Sequence, residues 1–337
     1  MIFGGARKQS ITSKVIALRM SVVHAHATVN RNVRETMNRR NILLSAAAGG
    51  LFTTVASGSP AAEGSVRWGA ASLQTRDGLR LFHRDWGSGR PLLFTHSWSL
   101  NSDMWAYQFA HLGDQGLRCI SYDRRGHGRS DPPSGGLDMN MLADDLDSVI
   151  KGLDLRNLVL VGHSIGANEI VRYVGRHGTD RIAKIALLAP TTPFALKTED
   201  NPFGAPAEYF EKLRVAWATD FPKWIEDNKL PFFTAETSPQ MMNWLAGELL
   251  RTPVPIGIAT NRAVVETDLR ADLAKIDRPV LILHGDKDMS APLEITGRRT
   301  AAGIRGAVLK VYSGAPHGLF LTHMAQVNRD LLEFARA

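Results

Sequence analysis

Residues 157–168 read NLVLVGHSIGAN. The apolar run Leu158–Val161 ends in Gly-His-Ser-Ile-Gly, and a helix-compatible segment follows at once. That order predicts a buried strand, a sharp turn and a helix, with Ser164 on the turn. A serine on so tight a turn takes a strained backbone conformation. Strand and helix also approach closely there, and Gly162 and Gly166 lack the Cβ atoms that would collide. The turn lifts the Ser164 hydroxyl clear of the sheet and aims the free N–H groups of the helix start at whatever binds. Five residues alone also fit an ordinary glycine-rich turn. A nucleophile further needs a base, an acid and an oxyanion site from elsewhere in the chain.

Outward from this turn, strand and helix signals alternate. Pro91–Thr95 (PLLFT), Leu117–Tyr122 (LRCISY), Ile182–Leu188, Pro279–Leu283 (PVLIL) and Ala307–Tyr312 are the apolar runs expected of buried parallel strands. Helices are expected over Trp105–Leu112, Met141–Leu153, Ile170–Arg176, Pro292–Ala302 and Leu319–Ala335. Asp77-Gly78 between Ala71–Asp77 and Leu79–Trp86 predicts a hairpin. The fold class is therefore α/β, a mostly parallel sheet flanked by helices, with an antiparallel edge. Residues 191–268 break the rhythm. They are rich in proline, hold Trp217, Trp224 and Trp244, and contain no strand run. They read as a helical cap inserted into a core of residues 63–190 and 269–337.

The net charge of +7 misleads, because residues 1–62 hold eight Lys/Arg and one Glu while the remainder balances. The body thus gives no electrostatic argument for nucleic acid as a partner. Cys119 is the single cysteine and sits in a strand run, which excludes an intrachain disulfide and suggests a small core residue. Residues 37–62 pair Arg39-Arg40 with a moderately apolar Ala/Gly/Leu stretch and end in small residues. They resemble a twin-arginine export signal, removed at Ser59–Ala62, rather than a membrane anchor. On this reading the protein is exported and the mature form has no membrane insertion. Residues 1–36 are expected to be an upstream extension outside the fold, with Met37 as the true start.

Ligands in such sheets bind at the carboxyl ends of the strands. Three of those ends carry His284-Gly285-Asp286-Lys287-Asp288, Gly314-Ala315-Pro316-His317-Gly318 and His96-Ser97-Trp98. A serine hydroxyl needs a base, and an imidazole needs a carboxylate to fix its tautomer. Asp286 and Asp288 compete as the acid. His317 leads His323 as the base, since His323 falls inside a predicted helix. His96 and His127 are further histidines near strand ends. Arg124, Arg125 and Arg129 read as a solvated turn with local ion pairs.

Taken together, LLFTHSWSLNSDMWAYQ, SYDRRGHGRSD, GHSIG, LILHGDKD, APLEITGRRTA and LKVYSGAPHGLFLTH resemble the α/β-hydrolase superfamily. Within it they are similar to the bacterial non-haem, cofactor-free haloperoxidases, which also act as esterases and perhydrolases. The resemblance implies a Ser164–His317–Asp288 triad, whose members follow along the chain as Ser164, Asp288, His317 in that superfamily's order, and backbone oxyanion donors at Trp98 and Ile165. It implies small esters or lactones as substrates, an acyl-enzyme, no cofactor and no metal, and it implies that His96 and His127, at the family's turn positions, hydrogen-bond their loops. It also implies a second reaction, in which hydrogen peroxide deacylates the enzyme to a peracid that oxidises halide. The Trp98 indole is a candidate pocket wall, as are Trp217, Trp224 and Trp244, which compete with plain cap packing for that role. The chain departs from the usual pattern at Ser97, where glycine is common, and at His163 and Ile165, where phenylalanine and methionine are. A non-hydrolytic protein on the same fold, a lyase or a small-molecule binding module, is the alternative class, distinguishable by fluorophosphonate labelling and release of free acid. Nothing in the sequence reports on oligomeric state.

Overall fold

The computed structural model describes residues 67–337; the expected leader and upstream extension lie outside them. Eight strands form one sheet in the order β1-β2-β4-β3-β5-β6-β7-β8. β1 (Arg67–Gln74) and β2 (Arg80–Gly87) pair antiparallel across the expected Asp77-Gly78 turn, and β2 pairs antiparallel with β4 (Leu117–Tyr122). β3 (Arg90–Thr95), β5 (Leu158–His163), β6 (Ile182–Leu188), β7 (Val280–Gly285) and β8 (Val308–Tyr312) run parallel to one another and to β4.

The continuous apolar runs are explained by burial on both faces. Side chains alternate along a strand. On one face Leu93, Leu158, Leu160, Ile185, Leu187 and Ile282 pack with helices α2 (Met139–Gly152) and α3 (Ile165–His177). On the other face Leu92, Phe94, Val159, Val161, Leu281 and Leu283 pack with α1 (Ala106–Asp114) and the C-terminal helices. Each such side chain contributes roughly 1.5–3 kcal/mol by leaving water. Cys119 lies in the second layer, wholly buried, with its thiol pushed up to about 12 by that burial.

Between β6 and β7 the chain leaves the sheet for α4 (Ala207–Asn228), α5 (Pro239–Leu249), α6 (Val254–Glu266) and the short α7 (Arg270–Leu273). α4 kinks at Asp220, two residues before Pro222, whose ring excludes a regular helical turn. Among the described residues no helix is long and apolar enough to cross a membrane.

Three helix boundaries differ from expectation. The helix after Ser164 begins at Ile165, because the turn ends on the serine itself. α8 covers only Gly297–Gly303, since residues 292–296 form turns on the Pro292 carbonyl. The C-terminal helix is divided into α9 (Leu319–Thr322) and α10 (Met324–Arg336) by a non-helical backbone at His323.

Candidate active site

Ser164 joins β5 to α3 with φ 55° and ψ −120°, a left-handed φ that a non-glycine residue seldom holds. The glycines on either side allow it. A Cβ on Gly162 would lie 2.7 Å from the Gly166 carbonyl, and one on Gly166 would lie 2.5 Å from the Thr95 carbonyl of β3. The turn is therefore wedged between its own strand, its own helix and the neighbouring strand.

His317 follows β8 and Asp288 follows β7, so parallel pairing brings both loops to the end of the sheet that carries Ser164. His317 Nε2 is 3.0 Å from Ser164 Oγ, and His317 Nδ1 is 2.7 Å from Asp288 Oδ2. Accepting at Nε2 requires the proton on Nδ1, and the carboxylate at Nδ1 holds that tautomer. All three side chains are buried. Burial would raise the Asp288 carboxyl, yet it is held far below the usual range. The His317 charge, hydrogen bonds from His284 and His317 and the Ala291 N–H outweigh the burial. Asp288 Oδ1 also accepts from the N–H groups of Ser290 and Ala291, at 2.9 and 2.7 Å.

The competing residues are placed elsewhere. Asp286 accepts from the Gly314 N–H at 2.7 Å and latches the β7 loop to the β8 loop. His323 sits at the α9–α10 break beside the Thr322 hydroxyl, at 3.0 Å. Two histidines to which sequence reasoning gave no role support the site. His163 donates from Nε2 to the His317 carbonyl at 2.9 Å, and burial, then the His317 charge, lowers its pKa to about 3. His284 Nε2 lies 2.8 Å from the Ala291 carbonyl and 3.3 Å from Asp288 Oδ2. Their only signal in the sequence is position, next to the serine and at the end of β7.

Trp98, on the loop after β3, and Ile165, at the first position of α3 where a backbone N–H has no intrahelical acceptor, line the same cavity as Ser164. The Trp98 indole donates to the Gly257 carbonyl of α6 at 2.8 Å. Its ring packs against Trp217 of α4 at 4.3 Å and against Phe221 and Trp224. Trp98, Trp217 and Trp224 all line a cavity of about 590 Å³ that reaches Ser164 and His317. Its wall is mainly aromatic and aliphatic, with Phe194, Phe210 and Leu245 among it and no carboxylate. Trp244 corrects expectation. It lies off the cavity, packing edge-on against Tyr107 of α1 at 5.8 Å, because its turn of α5 faces the core helices.

The basic turn after β4 is a second correction. His96 and His127 are wholly buried and bond the loops, as expected. Arg124 and Arg125 are buried as well, 1% and 3% exposed, rather than solvated. Arg125 grips Asp145 of α2 with two bonds of 2.6 Å, and Arg124 pairs with Glu169 of α3. Only Arg129 is part-exposed, with Asp123 and Asp103 as partners. Charge-rich turns read as surface from composition; here each buried cation meets a carboxylate on a helix distant in sequence.

Chemically, the cluster offers a hydroxyl against an imidazole, an imidazole against a carboxylate, and a mainly apolar chamber. That set suits acyl transfer. A family model described as the alpha/beta hydrolase fold matches residues 90–324. A non-haem chloroperoxidase of Kitasatospora aureofaciens is 40% identical over 269 residues, covering 77% of this chain and 97% of that protein. A bifunctional esterase/perhydrolase of Acinetobacter calcoaceticus is 36% identical over 276 residues, covering 79% and 99%. A crystal structure of a bromoperoxidase from Bacillus anthracis superposes with a TM-score of 0.76 at 31% identity, covering 80% of this chain and all of that one. With its serine turn, sheet order and chain order in agreement, the protein belongs to the α/β-hydrolase family.

Proposed function

We propose that this chain is a serine hydrolase of small carboxylic esters and lactones that works through an acyl-enzyme on Ser164. The observation that carries the reading is the unbroken relay of 3.0 and 2.7 Å from Ser164 through His317 to Asp288. Ser164 Oγ attacks the acyl carbon while His317 Nε2 takes its proton. The oxygen anion that forms meets the backbone N–H groups of Trp98 and Ile165, and the leaving alcohol takes the proton back from His317. Water then repeats the sequence and frees the acid. The mainly apolar cavity favours an uncharged acyl or alcohol group.

Deacylation by hydrogen peroxide in place of water is the second reaction in this reading. It releases a peracid and free Ser164, and the peracid passes one oxygen to halide and returns as carboxylate. Halogenation by this route depends on a carboxylate. The support is the pair of relatives named chloroperoxidase and esterase/perhydrolase. Purified protein is assayed on a chain-length series of p-nitrophenyl esters and on lactones, with and without peroxide. Ser164→Ala is expected to abolish both ester hydrolysis and acetate-dependent bromination. Bromination that survives in the alanine variant, or without carboxylate, overturns the reading.

We further propose export through the leader of residues 37–62, on the strength of Arg39-Arg40 and the apolar stretch behind it. N-terminal sequencing of the natural protein tests this. A mature start just after Ser59–Ala62 supports it, and a retained leader refutes it.

A further inference from the structure

The two N–H groups read above as oxyanion donors stand on separate elements. Trp98 belongs to the loop after β3, and Ile165 opens α3. No bond within either element sets the distance between them. Thr95 Oγ1, at the end of β3, donates to the Gly166 carbonyl of α3 at 3.0 Å, and one further buried side chain reaches both the loop beyond β3 and the helix. Arg124, on the loop after β4, directs Nε to Glu169 Oε2, one helical turn beyond Ile165. Its Nη2 donates to the His96 carbonyl, and its Nη1 lies 3.4 Å from the Ser97 carbonyl, directly before Trp98. The Arg124 backbone N–H donates to His96 Nε2 at 3.0 Å, which puts the His96 proton on Nδ1, 2.8 Å from the Ser97 carbonyl. The Arg124 Nη1 contact with that same Nδ1 therefore joins two donors and is no hydrogen bond. Tyr122 OH meets the other Glu169 oxygen and completes the carboxylate's partners.

A surface pair would explain none of this, because Arg124 and Glu169 are 1% and 0% exposed in their side chains. Buried ion pairs seldom repay their loss of hydration, and apolar residues of like volume commonly serve stability as well or better. A planar guanidinium does what an apolar side chain cannot, since its donors leave at fixed angles toward several acceptors. Resting on the nucleophile reading above, we infer that Arg124 is a positioning residue that ties the Ser97–Trp98 loop to α3 and so sets the spacing of the two oxyanion donors.

The test is Arg124→Lys in the full chain, a point charge that cannot span loop and helix together. With p-nitrophenyl butyrate, kcat is expected to fall about 10- to 100-fold with KM within about twofold, less than the roughly 100- to 1000-fold loss of a whole donor. The inhibition constant of an aryl trifluoromethyl ketone, which adds to serine as a hemiketal oxyanion, should rise by the same factor as kcat falls. A folded lysine variant whose ketone affinity is unchanged overturns the inference, whatever happens to kcat. Should lysine prevent folding, the triple variant Arg124→Met, Glu169→Leu, Tyr122→Phe carries no buried charge and is expected to fold. The same parallel loss there supports the positioning role, and wild-type kcat and ketone affinity overturn it. Turnover retained by Ser164→Ala would instead sink the nucleophile reading, and that outcome is separable from both.

Discussion

His163 donates from its Nε2 to the carbonyl of His317 at 2.9 Å, so the residue before the serine holds the backbone of the histidine that faces the serine. The bond itself does not require a neutral ring, since an imidazolium also donates; burial is what keeps His163 neutral, with a pKa of about 3. His127 is held at about 3 by burial too, with the Arg124 charge second. An unfolded chain protonates such rings near pH 6.5. Between about pH 3 and 6.5 the unfolded state therefore binds more protons, and stability rises with pH. It is complete above about 6.5 and is lost as pH falls toward 3. His163→Phe should reduce the slope of unfolding free energy against pH, between pH 4 and 6, by about 1 kcal/mol per pH unit. Urea titrations across that range read the slope, and an unaltered slope would contradict the assignment.

The two aspartates after β7 make different bonds, and substitution should separate them. Asp288→Asn takes away the carboxylate that fixes the His317 tautomer, and kcat should drop about 10⁴-fold. Asp286→Ala removes only the acceptor that latches the Gly314 N–H, so kcat should stay within a few-fold and stability should fall by about 1 kcal/mol. Steady-state kinetics on one p-nitrophenyl ester decide between them. Equal losses would move the acid assignment away from Asp288.

Trp217 and Trp244 also divide. Trp217→Ala enlarges the cavity and should shift the best acyl chain toward longer esters, seen as a change in the order of kcat/KM along the series. Trp244→Ala should leave that order unchanged and cost stability instead, about 1–3 kcal/mol for a part-buried ring lost from the α1–α5 packing. A reordered series in the Trp244 variant would bring that ring back to the pocket.

Gly166→Ala puts a methyl group 2.5 Å from the Thr95 carbonyl, a backbone atom that cannot swing aside. Either α3 or β3 must shift, at a cost of about 1–3 kcal/mol. The same shift displaces Ile165, so kcat should fall together with the denaturation midpoint. A variant as active and as stable as the parent would show that the turn has more room than the structure indicates.

The parallel sheet was legible because strands buried on both faces leave continuous apolar runs, and the interval between such runs marks the helices. Strand ends were legible for the same reason, which is how Ser164, Asp288 and His317 became candidates before any distance was known. Helix boundaries at His323 and Pro292 were less readable, because local turns and side-chain bonds override periodicity over three or four residues. The basic turn misled because composition counts charges without their partners; Asp145 and Glu169 lie 20 and 45 residues beyond the arginines they hold.

By itself the sequence determined the fold class, the serine turn and the order of the triad candidates, since each depends on short-range pattern and backbone sterics. Tertiary structure alone decided that Trp98 and Trp217 wall the cavity while Trp244 does not, and that Arg124 is buried between the Ser97–Trp98 loop and α3; it also put Asp288, the aspartate the family pattern implied, 2.7 Å from His317. Those outcomes turn on which side chains face one another across separate loops and helices. Spacing along the chain carries no record of that, because hydrogen bonds and burial act through distances in space.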